Sequence, residues 1–225
     1  MRKRIIHFAG TTLIVSFLFL FVSCKAKYAN SELDTFFTKS EIQDLDKIRY
    51  FFTSQMCYCM DTDFKTCYKN TPHEYLELSG NAFWTIIDYD KQKQLYQEIS
   101  QSTFDAIWDE NITTYYPSKQ SGISLGANPT GKFQKFLARI GKGRPKIAEY
   151  AKHVMEAGIY DGLGAWYPIV LGDQKNFDLN NPDIQLMLAV HYLTLNDDNM
   201  RNRELMHNPR PILKKWEYKA IPKSD

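Results

Sequence analysis

Asn181-Pro182-Asp183-Ile184-Gln185-Leu186-Met187-Leu188-Ala189-Val190-His191-Tyr192-Leu193 is the stretch that decides the fold. Asn181 is a capping residue type, and Pro182 suits the first helical position, where its missing N–H costs nothing. Ile184, Leu186, Met187, Leu188, Val190 and Leu193 then spread apolar side chains nearly all round the helix. A helix without a polar face has to be surrounded, so this one is expected at the centre of the core. His191, in that company, is expected to be a hydrogen-bonded core histidine.

Helical signals continue outward from it. Ser40-x-x-Gln43 reads as a capping box, and Ile42, Leu45, Ile48, Phe52 and Met56 recur at helical spacing, predicting a helix over 41–57. Thr71-Pro72-His73-Glu74 is a second start signal, and helical pattern resumes through 88–100 and again at Phe104, Ile107 and Trp108. A helix over 131–140 ends at Gly141. Arg144-Pro145 opens the next, which Gly158 caps. A last helix is expected over about 197–206. Ile169-Val170-Leu171 is the best strand candidate, and no strand pattern persists. The turn-forming stretch from Tyr115 to Thr130 and the aperiodic 159–181 read as loops. The expected fold class is all-α, a compact multi-helix domain with two long ordered loops.

The N-terminus carries a different signal. Arg2, Lys3 and Arg4 form a positive n-region, and Leu13 to Val22 form an apolar h-region too short to span a bilayer as a helix. The following Phe21-Val22-Ser23-Cys24 resembles a bacterial lipobox, with Phe21 where Leu is commonest and Ser23 where Gly or Ala is commonest. The resemblance implies a Gram-negative envelope lipoprotein, with diacylglycerol on Cys24 and residues 1–23 cut away. Several acyl chains hold such a body on a membrane without crossing it. Lys25, rather than the aspartate that retains some lipoproteins in the inner membrane, points to the outer membrane. The tether lacks the acidic cluster of some surface-exported lipoproteins, so a periplasm-facing domain is expected. The chain thus divides into a signal peptide (1–23), a lipidated cysteine with tether (24–39) and one helical domain (40–225).

Removing the signal takes three of the 28 basic residues and none of the 26 acidic ones, leaving one more acid than base. No field remains for steering onto phosphates, so nucleic acid is not an expected partner. The mature length is ample for one core. Fourteen Tyr, 14 Phe and 4 Trp suit either a ring-rich core or a surface that grips a sugar or a protein.

Cys57, Cys59 and Cys67 form C-x-C-x7-C. In an exported chain this reads as a disulfide of Cys67 with Cys57 or Cys59, tying the end of the first helix to the adjoining loop. A zinc site using His73 is the weaker reading, because the paired C-x-x-C knuckles are missing. Gly126-x-x-x-x-Gly131-Lys132 matches most of a phosphate loop, but Phe133 stands where a magnesium-binding hydroxyl is needed. Gly122-Ile-Ser124-Leu-Gly126 spells G-x-S-x-G without the strand-turn-helix context of a nucleophile elbow. No metal or cofactor is expected.

Long loops in compact domains are frequently functional, so Tyr160, Asp161, Trp166, Tyr167 and Asp173 are the candidate binding surface. The expected function is a lipid-anchored binding module for a protein partner, of the immunity or inhibitor type. The alternatives are an envelope enzyme on peptidoglycan or glycan, with carboxylates from Glu74, Glu77, Asp161 and Asp173, or a glycan-binding lipoprotein using Trp166 and Tyr167.

Overall fold

The computed structural model describes residues 32–57, 63–73, 86–116, 118–160 and 166–205. The expected lipidation at Cys24, the second start signal beyond His73, and Cys59, Glu74, Glu77 and Asp161 lie outside the described residues.

The domain is mainly α, with one two-stranded sheet among the described residues. A 3-10 turn, Glu32–Thr35, leads into α1 (Lys39–Met56) and α2 (Phe64–Asn70). Next come α3 (Tyr89–Glu98) and α4 (Gln101–Ile107), the antiparallel strands β1 (Trp108–Tyr115) and β2 (Gln120–Ala127), and α5 (Lys132–Ile140). The chain continues with α6 (Pro145–Ala157), α7 (Trp166–Gly172), α8 (Pro182–Arg201) and a 3-10 turn at Arg203–Leu205.

α8 occupies the centre, as its apolar circumference requires. Ile184 through Val190 are buried without a break, and so are Tyr192 and Leu193. Each large apolar side chain removed from water contributes about 1.5–3 kcal/mol, so this helix carries much of the core. Asn181 caps it, its side chain accepting from Asp183 N at 2.8 Å. α1 packs along α8, and α3 and β2 cover other sides. Phe52 of α1 stacks on Tyr192 of α8 with ring centroids 5.6 Å apart. α5 pairs with α6, and the first 3-10 turn rests on α5.

α1 is capped two residues before the expected position. Thr38 rather than Ser40 is the N-cap, and Glu41 accepts from Thr38 N at 2.8 Å. Thr38-x-x-Glu41 is the same capping-box pattern in an earlier register, and its glutamate is a better acceptor than Gln43. Leu33 and Phe37 are buried, so residues expected as tether belong to the core.

Expectations about local structure are corrected in several places. The stretch from Tyr115 to Thr130 is not a loop throughout, because Gln120–Ala127 forms β2, paired from Trp108↔Ala127 to Tyr115↔Gln120. The expected loop 159–181 contains α7, and Ile169-Val170-Leu171 within it is helical, since a short apolar run does not distinguish a strand from a buried helix turn. α8 runs unbroken to Arg201, absorbing most of the helix expected over 197–206. No described helix is long and apolar enough to cross a membrane.

Candidate functional site

α1 and α3 lie antiparallel and are fastened at both ends of α3. Midway along α1, Lys47 Nζ donates to the Glu98 carbonyl at 2.8 Å, and Asp44, one turn earlier, accepts from Ser100 N at 2.9 Å. Towards its end, Gln55 Oε1 accepts from Asp88 N, at the N-cap of α3, at 2.9 Å. Between these clasps runs an open groove of about 640 Å³, floored by Phe51 and Leu95. Lys47 to Gln55 spans about 12 Å of helix, two turns.

The polar rim of the groove is already organised. Lys47 Nζ donates at 2.8 Å to Asp44, and Arg49 Nη2 donates at 2.7 Å to Asp46 while Nη1 reaches Gln185 of α8 at 3.1 Å. Burial would raise the Asp44 carboxyl, but Lys47 and the Ser100 amide outweigh it and hold the group below its usual range. Tyr50 stands out from this rim, 68% exposed. A second groove of about 220 Å³ lies on its other flank, bounded by Cys57 and Phe64, so the ring forms a ridge between two hollows. An exposed Tyr beside a largely buried Arg and other pinned polar groups offers residue types that dominate protein interfaces. Side chains fixed before contact lose little entropy on binding.

Cys57 caps α1 and is joined to Cys67 of α2 by a disulfide, with the two Cα atoms 5.2 Å apart. The bond fixes the wall of the smaller groove. Of the two pairings open from sequence, it is the Cys57 one. Among the described residues no cluster of three or more His, Cys, Asp or Glu is arranged to hold a metal ion.

The residues expected as a binding surface separate. Tyr160 is 1% exposed, and its hydroxyl donates to the Ile107 carbonyl while accepting from Gln134 Nε2 at 2.8 Å. That ring holds helices together and offers no face to a partner, which corrects its expected role. Tyr167 is half-buried and stacks on the His73 ring, 5.1 Å between centroids. Asp173 accepts from the Asn176 backbone and side-chain amides, closing a local turn after α7. α7 includes Trp166.

The two motif matches have structural explanations. Gly131 is the N-cap of α5, where a Cβ would come within 2.4 Å of the Ala106 carbonyl oxygen. Lys132 is spent on Glu41, at 2.7 Å. Ser124 is buried in β2, its hydroxyl 2.5 Å from that of Thr113.

The strongest titration shifts lie in the interior. His73 is driven down to about 4 by burial, against the bond its Nε2 makes to the Tyr68 carbonyl. Burial likewise lowers His191 to about 3, beside the Tyr150 hydroxyl 3.1 Å away. At the far end of α8, Gln92 Nε2 donates to the Tyr96 hydroxyl and to the Leu193 carbonyl, and its Oε1 accepts from Asn196 Nδ2. Gln92 thereby ties α3 to α8.

Tyr50 was missed from sequence because on a helical wheel it is one polar-face residue among several. The available signal was a lone ring between Asp46 and Ser54, opposite the Leu45, Ile48 and Phe52 stripe. No known family, curated protein or solved structure matches this chain.

Proposed function

We propose that this chain is a lipid-anchored envelope protein that binds a protein partner through the face around Tyr50. The observation that carries the reading is a preformed, ion-paired groove between α1 and α3 with one large exposed ring on its rim. The groove is open, and its shape suits a partner's surface better than an enclosed small molecule. An immunity or inhibitor role, meeting a protein that arrives at the envelope, is the form of binding favoured here. The basic n-region, short h-region and Ser23-Cys24 support the anchor, and Lys25 supports an outer-membrane address facing the periplasm.

Both halves have a direct test. Native protein is taken from the membrane fraction, and its N-terminus is weighed. A diacylglycerol-modified Cys24 at the start of the chain is expected, whereas an uncleaved or bare N-terminus removes the anchor. Detergent-solubilised wild type, Tyr50→Ala and Lys152→Ala are then compared for what they retain from their own envelope. A protein held by wild type and Lys152→Ala but lost by Tyr50→Ala is expected. Equal retention by all three, or none by any, removes the binding face.

A further inference from the structure

The two edges of the hairpin are treated differently. Ala127 N donates to the Gly158 carbonyl at 2.8 Å, outside the sheet. That bond sets the alternation of the antiparallel ladder, in which residue pairs bonded to each other alternate with pairs whose backbone groups point away. With Trp108 opposite Ala127 and Ile112 opposite Ile123, the outward-pointing set is Ala127, Leu125, Ile123 and Ser121 on β2 and Trp108, Glu110, Ile112 and Thr114 on β1. On β2 this edge is covered, since Asn202 Nδ2 donates to the Ile123 carbonyl. On β1 nothing among the described residues is bonded to the outward N–H and C=O groups of Glu110, Ile112 or Thr114. Ile112 is 84% exposed, and Ile123 across from it is 46% exposed. An open edge of this kind is a template for another strand, and this one has no lysine, proline or bulge to blunt it, its charges being confined to Asp109 and Glu110 at one end.

We propose that the open edge of β1 pairs with β1 of a second copy of this chain, antiparallel about a dyad at Ile112. Two hairpins then form one continuous four-stranded sheet. The sequence is complementary to itself in that register. Ile112 meets Ile112 of the partner subunit, Glu110 lies across from Thr114, and Asp109 across from Tyr115, so no like charges oppose each other. Glu110, Ile112 and Thr114 become the bonded pairs, each exchanging two backbone hydrogen bonds. The two copies contribute the same patch, as a two-fold interface requires. This pairing leaves the Tyr50 face of α1 unused and does not depend on it.

Cysteine cross-linking in intact cells tests the register with the full chain, in a Cys59→Ser background. A dyad at Ile112 brings its two Cα atoms to about 5.5 Å, within disulfide reach. Ile112→Cys is therefore expected to give a disulfide-linked species of twice the mass. Asn111→Cys alone gives none, whereas cells making Asn111→Cys together with Thr113→Cys restore it. Separately, detergent-solubilised wild type is expected to sediment as a concentration-dependent dimer. Ile112→Lys, which sets like charges face to face on an exposed position, is expected to weaken that dimer at least roughly tenfold while keeping the wild-type circular dichroism. Absence of the Ile112→Cys species, equal cross-linking at 111 and 112, adducts only with a different protein, or a wild type monomeric at every concentration overturns the proposal.

Discussion

Arg201 grips Asp197 with both arms, Nε donating to Oδ1 at 2.7 Å and Nη2 to Oδ2 at 3.1 Å, one helical turn apart on α8. Asp197 is fully buried and Arg201 partly exposed, so the guanidinium is what allows a carboxylate to stand there. Burial still raises the Asp197 carboxyl above its usual range, with Arg201 opposing the shift. Removing one partner of a buried pair leaves an uncompensated charge, which costs more than the pair contributes. Arg201→Met is expected to lower stability by roughly 3 kcal/mol in urea unfolding. Arg201→Lys is expected to recover less than half, because an ammonium cannot make the forked contact. A neutral effect of Arg201→Met would contradict this reading.

His73 and His191 make the fold acid-sensitive. Their folded values of about 4 and about 3 lie below that of an exposed imidazole, so the unfolded chain binds protons that the native state rejects. Stability is therefore fully present above pH 6.5 and falls as pH drops from there towards 4. Each ring contributes a slope of about 1.4 kcal/mol per pH unit within that window. Asp197 and Asp198, both raised by burial, work in the opposite sense, losing stability as pH rises through their folded values. Comparing urea midpoints of wild type and His191→Phe at pH 7.5, 6.5, 5.5 and 4.5 isolates the histidine share. The variant is expected to show a shallower slope, and identical slopes would contradict the assignment.

The Cys57–Cys67 bond closes a short loop, with a sequence separation of 10. Constraint of the unfolded chain by a loop of that size is worth about 2–3 kcal/mol. Cys57→Ser with Cys67→Ser is expected to lose that much in urea unfolding. Amide exchange should rise in α2 and stay low in α8, because α2 is short and held at its middle by the bond. Loss of protection throughout α8 under the same conditions would show that the bond supports the whole core.

Gly131 sits where the start of α5 crowds the end of α4 and the turn after β2. A Cβ there would lie 2.4 Å from the Ala106 carbonyl oxygen and 3.1 Å from that of Asn128, both backbone atoms that cannot swing aside. Gly131→Ala is expected to cost about 1–3 kcal/mol through displacement of α5. Gly143→Ala is the contrasting case, with open space around the added carbon but a φ of +77° to accommodate. It is expected to cost only about 1 kcal/mol. Thermal unfolding of the two variants distinguishes them, and an equal or reversed order would contradict the crowding.

How much could be read from residues alone depends on which signals are local. α8 was legible because its apolar circumference has one solution, and α6 because Arg144-Pro145 and Gly158 bracket it. The hairpin was not legible. β2 contains two glycines and two serines, and β1 is mostly polar, so neither carries an alternating apolar pattern. Their pairing is imposed by the four-residue turn, with Lys119 at φ 57°, and by the docking of Leu125 and Ala127 into the core. Tyr160 looked like a surface ring because burial of a tyrosine depends on distant acceptors, here the Ile107 carbonyl 53 positions away. The groove was invisible for the same reason, since its two walls meet only through contacts between α1 and the ends of α3.

Binding through Tyr50 is tested most directly by placing a photo-reactive phenylalanine analogue at position 50 in the full chain and irradiating intact cells. A single cross-linked partner of defined mass is expected from position 50, and none from the exposed position 152 on α6. Truncating one interface anchor typically costs about 2 kcal/mol or more, so the same partner should bind Tyr50→Ala at least roughly thirtyfold more weakly. No adduct at position 50, the same adducts at both positions, or unchanged affinity of Tyr50→Ala would contradict the proposed binding face.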